Sequence, residues 1–181
     1  MKKIVLLLIL LLGVVNLYSQ TETDKKQMTG AHFAFGSGEY FTIGGLGGGS
    51  YNTKYYYSVG FKYLRELSKR WDLYSGLEYT YVHMMIIPEF PGAIPFKQNL
   101  KFVTIPVHFK YNLWKFVYLN GSISAVSDGY SIGMFLGCGT GFDLKYKFDS
   151  GIMLIMNPYV RFNSNIHYNF LQEGVSLGVL F

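Results

Sequence analysis

The sequence predicts an all-β protein, specifically an eight-stranded antiparallel up-and-down transmembrane β-barrel. Three observations predict it: one long alternating stretch, the rhythm of the connections, and the way charge sorts between faces. The stretch runs from Ile132 to Phe148. Read alternately, it gives Ile132, Met134, Leu136, Cys138, Thr140, Phe142, Leu144, Tyr146 and Phe148 on one face, and Gly133, Phe135, Gly137, Gly139, Gly141, Asp143, Lys145 and Lys147 on the other. Successive strand residues face opposite sides of the sheet. A strand in a soluble sandwich is about five or six residues long, whereas a tilted membrane strand needs roughly 9 to 11 in the hydrocarbon plus overhang. The 17 positions from 132 to 148 fit the second case.

The N-terminus fixes the compartment. Lys2 and Lys3 precede an apolar run from Ile4 to Val15 and then the more polar Asn16-Leu17-Tyr18-Ser19-Gln20. That is the layout of a Sec secretory signal peptide over residues 1–19, with cleavage expected between Ser19 and Gln20. The run is too short for a spanning helix, which needs roughly 18 apolar residues or more. The barrel domain is then expected over residues 20–181, the size of one domain. Two lysines leave with the signal, so net charge falls from +5 to +3, too mild a balance for a nucleic-acid partner. Cys138 is the single cysteine, so no intrachain disulfide forms, and alternation places it outward as a small apolar residue.

In chain order, the first strand is expected over Ala31 to Gly38, with Ala31, Phe33 and Phe35 outward. Glu39 to Lys54 carries Gly44-Gly45-Leu46-Gly47-Gly48-Gly49 and reads as a long loop. Tyr55 to Arg65 sets Tyr55, Tyr57, Val59, Phe61 and Tyr63 outward, and 66–70 is a polar turn. Trp71 to Met84 is the third strand. Met85 to Asn99, with Pro88, Pro91 and Pro95, reads as an extended surface loop. Leu100 to Tyr111 is the fourth strand, with a β-bulge expected at Pro106 because a closed barrel leaves few positions without a ladder hydrogen bond. Asn112 to Lys115 turns tightly into Phe116 to Val126, and 127–131 leads to the long sixth strand. Asp149-Ser150-Gly151 is a hairpin turn, Ile152 to Phe162 is the seventh strand, Asn163 to Gln172 is a polar and aromatic loop, and Glu173 to Phe181 is the eighth strand.

Tight turns therefore alternate with longer connections, the pattern of periplasmic turns and external loops. Charge agrees. Arg65, Lys101, Lys115 and Glu173 fall on the outward face, at expected strand ends, whereas Lys62, Glu78, His108, Lys110, Asp143, Lys145 and Arg161 face inward. A cation at the bilayer midplane costs roughly 2 to 4 kcal/mol and little near the interface, so lipid selects that separation.

Three segments and the C-terminus carry a resemblance: Tyr57-Ser58-Val59-Gly60-Phe61; Leu73-Tyr74-Ser75-Gly76-Leu77-Glu78-Tyr79; Val103-Thr104-Ile105-Pro106-Val107 with Lys110-Tyr111; and the terminal Phe181. Together they resemble the small bacterial outer-membrane β-barrel family that includes PorT-like and OmpX-like eight-stranded barrels. The resemblance implies the fold, an outer-membrane address, outer-membrane lipid around the barrel, and Phe181 as a signal read by the insertion machinery. Ser176 stands where such a signal often has glycine. The family has no single shared activity, and a subunit role in a secretion machine follows from the resemblance alone.

Chemistry is sparse. Gly137-Cys138-Gly139-Thr140-Gly141 lies mid-strand and lacks the strand-turn-helix context of a dinucleotide site, so no cofactor is expected. His32, His83, His108 and His167 have no metal-ligand spacing, and no metal is expected. The inner cluster of Lys62, Glu78, His108, Lys110, Asp143 and Arg161 reads as a structural, charge-paired filling of a narrow lumen. The expected function is a non-enzymatic outer-membrane protein acting in structure or interaction, with a protein partner at its external loops. Two rivals are defined by residues. A lipid-acting barrel enzyme would gather a Ser and an acid at His83 or His167. A secreted barrel binding an apolar ligand would be apolar inside and polar outside.

Overall fold

In a computed structural model of the chain, the described residues are 27–42, 49–88, 92–165 and 168–181. The expected signal peptide, the glycine run 44–48 and His167 lie outside them. The described chain is nine strand segments in one antiparallel sheet: β1 Gln27–Thr42, β2 Gly49–Glu66, β3 Trp71–Pro88, β4 Phe96–Asn112, β5 Val117–Ser127, β6 Ile132–Phe142, β7 Leu144–Lys147, β8 Met153–Ser164 and β9 Tyr168–Leu180. The sheet closes, because β9 pairs with β1 as well as β8, and β6 pairs with both β5 and β8.

Segments β6 and β7 occupy one place in the ring. Gly141 stands opposite Tyr159 and Leu144 opposite Met156, so both segments share one register with β8. The gap faces Pro158, which has no N–H for the ladder. The Asp143 N–H turns instead to the Phe116 carbonyl, at 2.7 Å. The barrel thus has eight wall positions, and the stretch read as one strand is one strand with an interruption at Asp143.

Pro106 corrects an expectation. No bulge forms there: Ser75 pairs with Val107 and Glu78 with Thr104 in one unbroken register, and pairing with β3 merely lapses between them. The proline removes a donor without adding a residue. The register shift lies in β2, where Lys54 is the extra residue relative to both β1 and β3. Lys54 and Tyr55 consequently both face outward.

The strands also run further than expected away from the short turns. Glu39–Thr42, Gly49–Lys54, Met85–Pro88, Phe96–Asn99, Asn163–Ser164 and Tyr168–Gln172, all expected in loops, are paired strand. Segments β1 to β4 have 16 to 18 residues, against 11 to 13 in β5, β8 and β9, while β6 and β7 share one place in the wall and extend it toward the short turns. One side of the wall is therefore taller. Its last strand, β4, meets β5 only from Val103 onward, so Phe96 to Phe102 pairs with β3 alone among the described residues.

Candidate functional site: the barrel lumen

The outer wall is apolar. Phe61 is 73% exposed and Leu136 65%, with Phe33, Val59, Leu77, Ile105, Phe109, Ile123, Val160 and Leu177 exposed around the ring, and Cys138 is exposed among them. Tyrosine and tryptophan rings bracket this apolar zone. Near the short turns are Trp71, its ring tilted at 48° against Tyr111 with centroids 4.8 Å apart, the exposed Trp114, and Tyr146 against Phe148 at 4.9 Å. Higher on the wall Tyr57 stacks on Tyr81 at 5.1 Å and Tyr55 on His83 at 5.1 Å.

Two of the four outward charges, Arg65 and Lys115, lie at strand ends as expected, and Lys101 and Glu173 do not. Arg65 is buried, only 3% exposed, and Lys115 lies in a turn over the Phe116 ring at 5.3 Å. Lys101 and Glu173 lie within longer strands. Glu173 stands eight residues above Phe181, a height of about 20 Å at a rise of roughly 3.3 Å and the tilt of such barrels. That is within about 5 Å of the upper border of an apolar band of about 25 Å, and Ser37 Oγ donates to the carboxylate there at 2.9 Å. Lys101 pairs with Tyr81, at the level of the upper aromatic rings.

Inside, the residues form two tiers above an apolar base of Met28, Leu64, Tyr74, Met153 and Leu180. The lower tier holds Lys110 and Asp143, an ion pair with both side chains buried. Asn157 Nδ2 donates to Asp143 at 2.5 Å, and Tyr118 OH donates to Asn157 Oδ1 at 2.8 Å. The Lys110 ammonium lies over the Tyr118 ring at 4.2 Å and the Tyr74 ring at 5.2 Å. Asp72 accepts from Asn112 at 3.0 Å, and Lys145 approaches Asp143 at 3.5 Å and Asp72 at 3.9 Å. Two cations meet two carboxylates here.

The upper tier holds His32, Lys62, Glu78, His108 and Arg161. His32 Nε2 lies 3.1 Å from Glu78. Lys62 also sits over the Tyr74 ring, at 5.3 Å, and Arg161 over Tyr159 at 5.1 Å. Each long side chain has a glycine beside it across the ladder: Gly30 and Gly76 flank Lys62, Gly60 neighbours both His32 and Glu78, and Gly139 neighbours Arg161. At Gly30, Gly60 and Gly76 an added Cβ would meet a backbone carbonyl of the adjacent strand, so glycine lets the strands approach closely beside the long side chains. Along β6 side chains are met as well, since a Cβ on Gly139 or Gly141 would meet Asn120 Oδ1 at 2.7 Å or Tyr118 OH at 2.6 Å.

Above the lower tier the lumen is not filled. A cavity of about 1080 Å³ extends from Lys110, Tyr118 and Asp143 up to Asp128, Tyr130 and Ser131 at the rim. This revises the expectation of a lumen filled throughout by side chains. The tall side of the wall lines it with Ala34, Val82, Met84, Leu100 and Phe102, part of an apolar cluster with Tyr56 and Tyr159, whose hydroxyls lie 2.5 Å apart.

All six residues singled out by alternation, Lys62, Glu78, His108, Lys110, Asp143 and Arg161, line this lumen. Alternation also puts His32 and Asp72 inward, yet neither joined the expected cluster, because adjacency across strands depends on register. His83 lies on the outer wall, with Nδ1 2.6 Å from Asn99 Oδ1, so its partners are an amide and Tyr55 rather than a serine and an acid. No group of three metal-ligating side chains occurs among the described residues.

A closed antiparallel barrel with an apolar wall and a polar, charged interior is the inside-out architecture of barrels that span lipid. No protein-family model matches the chain, and no curated protein sequence does. Among solved structures, the chain is similar to the crystal structure of Ail, the attachment invasion locus protein of Yersinia pestis, at 11% identity and TM-score 0.45, covering 86% of this chain and 99% of that one. It is also similar to Ail in a phospholipid bilayer nanodisc, at 10% identity and TM-score 0.39 over 82% and 98%. A third is the KdgM porin in complex with disordered oligogalacturonate, at 11% identity and TM-score 0.30 over 83% and 98%.

Proposed function

We propose that this chain is a non-enzymatic integral outer-membrane barrel, surrounded by lipid along its wall and interacting with a partner protein at the end away from the short turns. The observation that carries the reading is the wall itself: an apolar zone between two sets of tyrosine and tryptophan rings, with its charges toward the borders. Water would not select that surface, whereas bilayer hydrocarbon and its two interfaces do. The soluble rival requires the inverse polarity. A role for Phe181 as a signal for the insertion machinery is supported by its position just past β9, 70% exposed and tied to Thr29 through both its N–H and its carbonyl.

The interaction reading is supported by β4. Phe96 to Phe102 offers one edge of unpaired backbone N–H and C=O groups above the barrel, and such edges accept an added strand. Membrane insertion is tested by refolding the chain into detergent and running it in SDS with and without boiling. Faster migration of the unboiled sample is the expected outcome. Equal mobility together with solubility in plain buffer overturns the membrane reading.

A further inference from the structure

The two tiers of the lumen differ in charge balance. Lys110 and Lys145 face Asp72 and Asp143 below, whereas Lys62 and Arg161 share the single carboxylate Glu78 above. That carboxylate already has His32 at 3.1 Å. The upper tier thus keeps one cation more than its carboxylates balance, and neither Lys62 nor Arg161 has a carboxylate within ion-pair distance among the described residues. Arg161 Nε and the Nδ1 of His108, a residue more than nine-tenths buried, have no hydrogen-bond partner. Lys62, His108 and Arg161 all line the one cavity and lie within one another's electrostatic field. A buried cation with an unpaired guanidinium N–H beside a cavity is satisfied by an anion, toward which the His108 imidazole can present an N–H.

The walls above that tier say what kind of anion. Ala34, Val82, Met84, Leu100 and Phe102 on one side, and Phe135 and Phe170 on the other, line the same cavity between the cations and the rim. Pockets for organic ligands combine an apolar lining with a few placed polar groups, in volumes of about 300 to 1,000 Å³. We infer that the lumen is a binding site for an amphiphilic monoanion, its acidic head at Lys62, His108 and Arg161 and its apolar body against Val82, Met84, Leu100 and Phe102. The inference is independent of what the β4 edge binds and needs only the closed barrel.

Calorimetric titration of the detergent-refolded chain at constant ionic strength tests it, with octanoate as probe, octanol as the uncharged control and acetate as the control without a tail. Octanoate is expected to bind about tenfold or more tighter than either control, since charge and apolar contact both contribute. Arg161→Gln is expected to bring octanoate down to octanol, Arg161→Lys to recover part of the difference, and Lys145→Gln, in the lower tier, to change nothing. The fast-migrating unboiled band shows that each variant has folded. Equal binding of octanoate and octanol, or octanoate binding untouched by Arg161→Gln in a folded variant, overturns the proposal. Acetate binding as tightly as octanoate leaves a simple anion site and overturns the amphiphile.

Discussion

The lower and upper tiers of the lumen are built from the same materials to opposite ends. Below, Lys110 and Asp143 are buried, directly paired, and enclosed by Tyr74, Tyr118 and Asn157, so charge and volume are both used up. Above, Lys62, Glu78 and Arg161 stand beside glycines at the edge of a cavity, and their charges do not cancel. A buried pair offsets its desolvation only with good geometry and further hydrogen bonds, which the lower tier supplies. Closure of the barrel belongs to the lower tier, and capacity to take up a ligand belongs to the upper.

The largest expected effect tests that division. Asp143→Ala leaves the Lys110 ammonium buried without its carboxylate, and removing one partner of a buried pair typically costs about 3 to 5 kcal/mol. Glu78→Gln leaves an amide able to bond His32 but removes the carboxylate that Lys62 and Arg161 share, beside a cavity that admits water, so its cost is about 1.5 to 3 kcal/mol, that of a hydrogen bond to a charged group. Urea unfolding in micelles measures both. If the two variants lose stability equally, the tiers are equivalent and the contrast is wrong.

A smaller effect sharpens it through the glycines. Gly141→Ala places a Cβ 2.6 Å from Tyr118 OH and 2.5 Å from the Pro158 carbonyl, so the lower tier must shift, at about 1 to 3 kcal/mol. Gly121→Ala, where a Cβ meets nothing within 4 Å, is expected within about 0.5 kcal/mol of the parent. The same unfolding measurement ranks them. Equal losses at the two sites would mean that strand propensity, not lumen crowding, placed the glycines.

How much of this was legible in the sequence follows the lipid. Where one face of a strand meets hydrocarbon and the other the lumen, alternation is strict, and Tyr55 to Phe61 or Ile132 to Phe142 could be assigned face by face. Beyond the lipid both faces meet water and the alternation lapses. Met85–Pro88 and Phe96–Asn99 therefore looked like a proline-broken loop although they pair. Lys54 escaped notice as a bulge because the pattern simply restarts at Tyr55. The inward cluster was readable, since each member is set by the parity of its own strand. Its division into tiers was not: that Asp72 stands opposite Lys110, or that His32 reaches Glu78, depends on how far each strand is displaced along its neighbour. The cavity was likewise hidden, being the difference between wall circumference and the side chains that reach inward at each height.

The smallest expected effect lies at the rim, where the cavity meets the β5–β6 turn. Asp128 accepts hydrogen bonds from the Tyr130 N–H at 2.9 Å and the Ser131 N–H at 2.8 Å, and from Ser131 Oγ at 3.2 Å. The two backbone N–H groups, Ser131 foremost, hold its carboxyl below the usual aspartate value. The sign follows. A carboxyl depressed in the folded state contributes stability that is fully present above its unfolded value of about 3.9 and is lost as pH falls through the lower folded value. The turn should therefore keep its shape down to pH of about 4 and loosen only below it. The Tyr130 and Ser131 amide resonances, followed by NMR across that range, are expected to move together with one midpoint below 4, and Asp128→Asn to remove the transition while the resonances of the two lumen tiers stay in place. Movement of the tiers along with the turn would show that rim and lumen respond as one body, and the contrast between a closed base and a receptive upper lumen would then need the rim as a third part.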